Sequence, residues 1–160
     1  MSVRIAILTV SDAGARGQRE DKSGAAIAAW AKEQGHTVVA HEIVADETDQ
    51  IVARLLKWSD ADQVSLILTT GGTGIAPRDV TPEATRAVIE RDAPGFAEAM
   101  RSAGLLKTPR AILSRGIAGI RGGTLIVNLP GSPSGVADGL AVLTPHVEHL
   151  AALLRGDTEH

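Results

Sequence analysis

Residues that could do chemistry are concentrated in one stretch near the middle of the chain. Residues 69–83 read Thr-Thr-Gly-Gly-Thr-Gly-Ile-Ala-Pro-Arg-Asp-Val-Thr-Pro-Glu, and we call residues 71–79 the glycine loop. Glycines allow a backbone to approach a ligand closely because they lack a Cβ, and their N–H groups can point at an anion. The hydroxyls of Thr70 and Thr73 and the charge of Arg78 would strengthen such a site. The stretch predicts phosphate binding, although a tight turn between a strand and a helix has the same composition.

An acid inside this stretch, Asp79, changes the chemistry that it predicts. A carboxylate beside an anion site is unfavourable unless a cation lies between them, and Mg²⁺ on a phosphate substrate would supply that cation. Asp12 and Asp46 also follow predicted strands. Three acids at one edge of a sheet favour magnesium coordination, whereas each acid alone is also typical of a turn or a helix N-cap.

A second segment has the same pattern of strand, loop and helix. Residues 128–135 read Asn-Leu-Pro-Gly-Ser-Pro-Ser-Gly, and we call residues 130–135 the serine loop. Ser132 or Ser134 could cap the following helix and do nothing else. Alternatively, both hydroxyls and the helix N-terminus could hold a second phosphate. The pattern leaves both interpretations open.

Other kinds of site are disfavoured by residue spacing. The glycine loop matches neither the P-loop nor the dinucleotide fingerprint, and the serine loop has no serine at the centre of a GxSxG motif. The chain has no cysteine, which removes disulfides, thiol nucleophiles and cysteine-based zinc sites. His36 and His41 are five residues apart on a predicted strand and face opposite sides, and His146 and His149 have no apparent third ligand.

Composition restricts the class of protein. The chain has 160 residues, 44% hydrophobic and 22% charged, which suits one domain over residues 1–155 with a loose tail at 156–160. The net charge of −3 and the presence of only two tryptophans and one phenylalanine argue against nucleic-acid binding. No apolar run approaches the roughly 20 residues of a membrane span, and no signal peptide precedes the first strand. We expect a cytoplasmic protein with no membrane or nucleic-acid partner.

Hydrophobic periodicity predicts the elements that position these loops. The alternation of strands and helices predicts an α/β fold with a mainly parallel sheet. The carboxyl ends of parallel strands meet at one edge, where ligands bind in such folds. Four polar segments should lie there, around Ser11 and Asp12, around Asp46, in the glycine loop and in the serine loop. The predicted strands cover residues 3–10, 36–44, 64–68, 110–114 and 124–127, and the predicted helices cover 22–34, 51–58, 83–90, 96–103 and 133–154.

Both loop motifs resemble the signature loops of the molybdopterin-binding family. The match includes residues 70–83 and 128–135, together with Thr9-Val-Ser-Asp12 and the turn at Asp46, and it covers nearly the whole chain in order. The chain is similar to single-domain MogA/MoaB-type proteins and to the gephyrin G domain. The resemblance implies a three-layer α/β fold with helices on both faces of the sheet, and a role in molybdenum cofactor biosynthesis.

The resemblance also implies a reaction and a site. Family enzymes adenylylate molybdopterin with ATP and Mg²⁺ and release pyrophosphate, and Asp46 and Asp79 correspond to the two essential acids that hold the metal. Homo-trimers or homo-hexamers are usual in the family. The substrate-binding residues expected from the motifs are Ser11, Asp12, Thr70, Gly71, Gly72, Thr73, Gly74, Arg78, Pro130, Gly131, Ser132 and Ser134.

Two other functions remain open on the sequence alone. Residues 74–78 look more MoaB-like than MogA-like, and some MoaB-type members lack adenylyltransferase activity. A non-catalytic molybdopterin-binding or scaffold protein is therefore the alternative. A phosphate-ester hydrolase would use the same loops with water as the nucleophile.

Overall fold

The computed structural model describes residues 1–158, which form one sheet of six strands with helices packed against it. The sheet order is second, first, third, sixth, fifth and fourth strand, and the first four of these run parallel. The fifth and fourth strands extend the sheet by antiparallel pairing. The expected α/β fold with a mainly parallel sheet is confirmed. The strands are β1 (Arg4–Val10), β2 (Thr37–Val44), β3 (Leu66–Thr70), β4 (Arg91–Asp92), β5 (Ala118–Arg121) and β6 (Thr124–Leu129).

Helices connect the strands and cover both faces of the sheet. The longer ones are α1 (Lys22–Glu33), α2 (Thr48–Leu56), α3 (Thr81–Val88), α4 (Pro94–Leu105), α5 (Pro133–Leu143) and α6 (Val147–Leu154). Shorter pieces are one α-helical turn at Asp12–Ala15, a π-helical turn at Lys57–Ala61, and 3₁₀ turns at Pro109–Leu113 and Thr144–His146.

The central strands are buried on both faces, which is why the fold has three layers. In β1, Ile5 and Ile7 pack into one hydrophobic cluster and Ala6 and Leu8 pack into another. This alternation follows from the two-residue period of a strand. The first cluster lies under α1, α4, α5 and α6, and the second lies under α2 and α3. The expected helices on both faces are confirmed.

The predicted strand at residues 110–114 is wrong, because this segment is the 3₁₀ turn Pro109–Leu113. Ile112 and Leu113 gave the segment a strand-like apolar pattern, but they are 69% and 46% exposed. Pro109 cannot donate a backbone hydrogen bond, and the Thr108 hydroxyl accepts from the Arg110 amide at 3.3 Å. The strand that pairs antiparallel with β6 is β5, which lies inside the expected glycine-rich turn region at 116–123.

The single helix predicted over residues 133–154 is interrupted at Thr144–His146. Pro145 explains the interruption, because it has no N–H for the hydrogen bond that would continue the helix. The apolar stripe nevertheless continues, with Leu140, Val147 and Leu150 in the same cluster. The sequence period therefore predicted the buried face correctly but missed the break.

Two smaller findings concern the ends of the chain and membranes. The predicted loose tail at 156–160 includes Glu159 and His160, which lie outside the described residues. Over residues 1–158, no helix combines the length and the apolar character that crossing a bilayer requires.

Candidate functional site

The carboxyl ends of β2, β1, β3 and β6 meet at one edge of the sheet, and a cavity of about 710 Å³ lies there. Its size is within the usual range of small-molecule sites, about 300–1,000 Å³. Polar residues from four separate loops and from the start of α1 form its wall. Its lining residues include Thr9, Ser11, Gly14, Arg19, Glu20, Asp21, Lys22, Ser23, Asp46, Thr70, Gly71, Gly72, Asp79, Gly131 and Pro133. We call this space the first cavity.

The glycine loop begins with two residues in the left-handed backbone region. Gly71 has φ +95° and Gly72 has φ +68°, a conformation that favours glycine. A Cβ on Gly71 would lie 2.3 Å from the Val10 carbonyl oxygen, and a Cβ on Gly72 would lie 2.3 Å from Thr81 Oγ1. The glycines thus allow the backbone to pack closely against neighbouring protein atoms, and the close approach to a ligand stays a prediction.

The loop ends in a tight turn that presents Asp79. The Asp79 amide donates to the Ala76 carbonyl at 3.0 Å, with Pro77 at the turn position that suits its fixed φ. The Asp79 carboxylate accepts from the Ala76 amide at 3.0 Å. A Cβ on Gly74 would lie 2.8 Å from this carboxylate, so a glycine there leaves room for Asp79 to turn toward the first cavity.

Asp46 and Asp12 hold each other across the ends of β2 and β1. The Asp12 amide donates to Asp46 Oδ2 at 2.9 Å, and the Asp46 amide donates to Asp12 Oδ1 at 3.0 Å. Asp46 lines the first cavity, whereas Asp12 is not among its lining residues. The structure therefore brings Asp46 and Asp79 together at one site and places Asp12 behind Asp46.

Electrostatics distinguish these acids. Burial raises the pKa of Asp46, and the nearby charges of Asp12 and Asp79 raise it further, against the hydrogen bond from the Asp12 amide and the charge of Arg78. Hydrogen bonds from Arg78 and from the Asp46 amide lower the pKa of Asp12 to about 2. Asp12 therefore stays ionised, and protein contacts balance its negative charge. Asp46 and Asp79 form an acid pair whose mutual repulsion a bound cation would relieve.

Two carboxylates fit a magnesium ion that is shared with a substrate. No group of three or more His, Cys, Asp or Glu side chains within residues 1–158 is arranged to hold a metal. Mg²⁺ usually takes one or two protein carboxylates and completes its shell with water and substrate phosphates. The acid pair of Asp46 and Asp79 matches that donor set, and the site does not resemble a closed structural metal site.

Arg78 does not point at the first cavity as an added positive charge. Its guanidinium donates to Asp12 Oδ2 at 2.7 Å, to the Asp46 carbonyl at 3.1 Å and to Glu47 Oε1 at 2.9 Å. Asp12 and then Glu47 raise the pKa of Arg78 above its usual value. The Nε and Nη2 donors of Arg78 thus join the glycine loop to the turns that carry Asp12 and Asp46, and its contact with an anion stays a prediction.

Arg115 was missed by the sequence reasoning and makes the most contacts with the glycine loop. Its backbone amide donates to the Thr73 carbonyl at 2.7 Å, and its guanidinium donates to the carbonyls of Gly74 and Asp79, each at 2.7 Å. The same group forms two bonds to Glu83, of 2.7 and 3.1 Å. Arg115 lies in neither loop motif, so nothing in the neighbouring sequence identified it.

The serine loop lies against the glycine loop but opens onto a different space. Thr70 Oγ1 donates to the Pro130 carbonyl at 2.6 Å, so this predicted ligand hydroxyl ties the two loops together. Ser132 Oγ accepts from the Gly135 amide at 3.1 Å, so Ser132 caps α5, and a further role in holding a phosphate stays a prediction. Pro130, Ser132 and Ser134 line a second cavity of about 420 Å³, whereas Gly131 lines the first.

The second cavity has a different character. Apolar groups of Ala97, Met100 and Gly139 form part of its wall, and polar groups converge on them. Ser132 and Ser134 both line this second space, and the second phosphate that the sequence suggested for them stays a prediction. Its polar lining residues are Arg101, Lys107, Thr108, Arg110, Ser114, Asn128, Ser132, Ser134 and Asp138.

Several lining residues of the first cavity were not predicted. Thr9 donates to Asp21 Oδ2 at 2.8 Å, and Asp21 also accepts from the Gly24 amide at 2.8 Å, so Asp21 caps α1. Ser23 donates to the Gly131 carbonyl at 2.6 Å. These residues lie in β1, just before α1 and at the start of α1, so their polar character was visible in the sequence but their place in the cavity wall was not. Thr73 and Gly74, although predicted, are not among the lining residues.

Comparison with known proteins relates this arrangement to one family. The model of a family described as "Probable molybdopterin binding domain" matches residues 6–149. A molybdopterin adenylyltransferase from Helicobacter pylori strain J99 is 43% identical over 158 residues, covering 98% of this chain and 90% of that protein. The Escherichia coli K12 protein of the same name is 41% identical over 141 residues, covering 87% and 72%.

A solved structure matches over nearly the full length. The crystal structure of the molybdopterin biosynthesis enzyme MoaB from Thermus thermophilus superposes with a TM-score of 0.90 at 51% identity, covering 96% of this chain and 97% of that one. The match therefore extends over the sheet, both helical layers and both loops.

Proposed function

Because this chain belongs to the molybdopterin-binding family, with relatives of both the MogA and the MoaB type, we propose that it acts in molybdenum cofactor biosynthesis by transferring AMP from ATP to molybdopterin. The observation that carries the proposal is the convergence of Asp46, Asp79 and the left-handed start of the glycine loop on one cavity. Such chemistry needs positioning and charge neutralisation more than covalent assistance from the protein.

In the proposed reaction, the terminal phosphate of molybdopterin attacks the α-phosphorus of ATP. A new P–O bond forms, the bond between the α-phosphorus and its bridging oxygen to the β-phosphate breaks, and pyrophosphate leaves. We place the ATP phosphates in the first cavity. Within the described part of the chain, the amides of Gly72 and Gly131 donate no hydrogen bond, although both residues line this cavity. These donors are free to receive phosphate oxygens.

Asp46 and Asp79 would hold Mg²⁺ against the phosphates. A bound Mg²⁺ supplies charge neutralisation for the transferred phosphoryl group and its leaving group. The chain's own part is to fix the two carboxylates in place before ATP binds. Burial and the neighbouring carboxylates raise the pKa of Asp46, so cation binding and deprotonation of Asp46 support one another.

We place molybdopterin in the second cavity, on the other side of the serine loop. An apolar wall with a few convergent polar groups suits a flat heterocycle with hydrogen-bonding edges. Ser134 is exposed toward this space. Lys107 is paired with Asp138, so Arg101 and Arg110 leave the rim with a net positive charge suited to a phosphate. The serine loop, which is in contact with the glycine loop through Thr70 and Pro130, would bring the two substrates together at its edge.

The predicted trimer or hexamer remains part of this proposal. Large apolar side chains are exposed near the end of α4, among them Leu106 at 89% and Ile112 at 69%. Such a group of residues is available for a subunit interface. Sedimentation equilibrium would give a mass three or six times that of one chain, whereas a monomer would contradict this part.

One experiment tests the proposed reaction. Purified protein is mixed with molybdopterin, ATP and Mg²⁺, and both pyrophosphate and the mass of the pterin product are measured. The expected result is one pyrophosphate for each adenylylated molybdopterin. Molybdopterin binding without pyrophosphate would support the non-catalytic carrier instead, and free AMP without adenylylated pterin would support a hydrolase.

A further inference from the structure

Asp79 depends on the shape of its own loop for its position. Among the hydrogen bonds of residues 1–158, its carboxylate accepts one, from the Ala76 amide in the same loop. The side chain therefore has no direct anchor on the sheet. Whatever fixes the glycine loop also fixes the distance between Asp79 and Asp46, which comes from a different strand end.

Arg115 lies outside the glycine loop and binds two of its backbone carbonyls. Its Nε donates to the Gly74 carbonyl and its Nη2 to the Asp79 carbonyl, each at 2.7 Å. Glu83, in the first turn of α3, orients the guanidinium through two bonds. A planar guanidinium with donors in a fixed fork can join three such acceptors, whereas a lysine ammonium places all its donors at one point.

We infer that Arg115 is the positioning residue that holds Asp79 in place for magnesium and ATP. This inference rests on the proposed function, since it assumes that Asp79 is a metal ligand. Arg115 is not among the residues that line either cavity, so its contribution is made through the loop. Arg78 holds the opposite side of the same loop through Asp12 and Glu47.

Arg121 provides a matched control. It also forms two bonds to a carboxylate, Asp60, and one bond to a backbone carbonyl, that of Val88, all of 2.9 Å. It lies at the β5 end, away from both cavities. A general cost of losing such an arginine should therefore appear equally in Arg121→Met and Arg115→Met.

The first measurement is binding of Mn²⁺ with ATP, followed by electron paramagnetic resonance. Loss of an outer residue that orients a metal ligand typically weakens binding about 10- to 100-fold, and we expect this for Arg115→Met. Arg115→Lys should not restore binding, because it keeps the charge but cannot join Gly74 to Asp79. Arg121→Met should remain within about twofold of the wild type. Wild-type binding in Arg115→Met, or full recovery in Arg115→Lys, would overturn the inference.

The second measurement is hydrogen exchange over residues 74–79. Arg115→Met should accelerate exchange of the Ala76 amide, and Arg121→Met should leave it unchanged. Unchanged exchange in Arg115→Met would overturn the inference. Glu83→Gln keeps both carbonyl contacts of Arg115 and should give a smaller change in the same direction. If Arg115→Met does not fold, Arg115→Lys and Glu83→Gln decide the question.

A double-mutant comparison separates this inference from the proposed function. If Arg115 acts through Asp79, then adding Arg115→Met to Asp79→Asn should weaken binding of Mn²⁺ with ATP little further, because coupled residues are non-additive. Independent, multiplying effects would overturn the inference alone. Wild-type binding in Asp79→Asn would instead remove Asp79 from the metal site and contradict the proposed function.

Discussion

The glycine loop and the serine loop both connect a buried parallel strand to a helix, and both are rich in glycine and hydroxyl residues. Among the contacts of residues 1–158, however, arginine side chains hold only the first loop. Arg115 and Arg78 join the glycine loop to α3 and to the ends of β1 and β2. Ser132 caps α5 in the serine loop by a hydrogen bond inside that loop. The comparison indicates that similar loop sequences acquire different chemistry from residues elsewhere in the chain.

The difference also appears in what each loop faces. The glycine loop contributes Asp79 to a cavity that already contains Asp46, and it contributes backbone of Gly72. The serine loop contributes hydroxyls and a proline to a cavity with an apolar wall and a cationic rim. In the proposed reaction, the first loop serves the metal and the triphosphate, and the second serves the pterin.

The largest expected loss of activity follows from changing Asp79, the acid of the glycine loop. Asp79→Asn removes a carboxylate charge while keeping the side-chain shape, and we expect adenylyl transfer to fall about 100- to 1,000-fold, as for loss of other groups that stabilise transition-state charge. Asp60→Asn is the control, since Asp60 pairs with Arg121 outside both cavities. Steady-state pyrophosphate release is the measurement, and unchanged turnover in Asp79→Asn would remove Asp79 from the mechanism.

A backbone change should damage the glycine loop next most severely. In Gly72→Ala the new Cβ would meet Thr81 Oγ1 at 2.3 Å and Asp46 Oδ1 at 3.2 Å, at φ +68°. We expect a loss of about 1–3 kcal/mol in the free energy of unfolding, as for other strained backbone positions, together with impaired turnover, because the collision lies beside Asp46.

Gly122→Ala separates the strain from the collision. Gly122 has φ +55°, but a Cβ there meets no atom within 4 Å. This variant should lose about 1–2 kcal/mol in the free energy of unfolding and keep its turnover. Urea denaturation and pyrophosphate release on both variants make the comparison, and equal turnover in the two would contradict a special role for Gly72.

A smaller and selective effect is expected from the serine loop. Ser134→Ala removes a hydroxyl from the second cavity. Loss of one hydrogen bond typically costs about 0.5–1.5 kcal/mol, which corresponds to an increase in KM for molybdopterin of about 2- to 12-fold. KM for ATP should not change. An increase in KM for ATP instead would place the nucleotide, and not the pterin, beside this loop.

The smallest expected effect concerns helix capping. Ser132→Ala removes the acceptor of the Gly135 amide, and loss of such an N-cap typically costs about 1 kcal/mol in the free energy of unfolding. Urea denaturation measures it, with Ser102→Ala on the exposed surface of α4 as the control. No difference between these two variants would show that the cap contributes nothing measurable.

Some features of this site follow from local sequence and others do not. Asp46 and Asp79 could be placed at one edge because each follows a parallel strand, and parallel strands end on the same side. The role of Arg115 could not, because its partners are 32 to 41 residues away in sequence. Thr70 lines the first cavity as expected, but its bond to the Pro130 carbonyl, 60 residues away, could not be predicted from local sequence.

Element boundaries failed for a related reason. The apolar residues at 111–113 had the composition of a strand, but the pairing position beside β6 was taken by β5. Periodicity indicates which face of a segment is buried, but it carries no information on which segment pairs with the neighbouring strand. The helix break at Pro145 was visible as a residue type, but the continuous apolar stripe outweighed it.

One binding measurement tests most directly whether the two loops serve two separate substrates. Molybdopterin is titrated into the protein by calorimetry, with and without Mg²⁺ and saturating α,β-methylene-ATP. This ATP analogue cannot complete the transfer. We predict that one molybdopterin binds per chain in both titrations and that the bound nucleotide is retained, giving a ternary complex. Displacement of either ligand by the other would place both in one cavity and contradict the account.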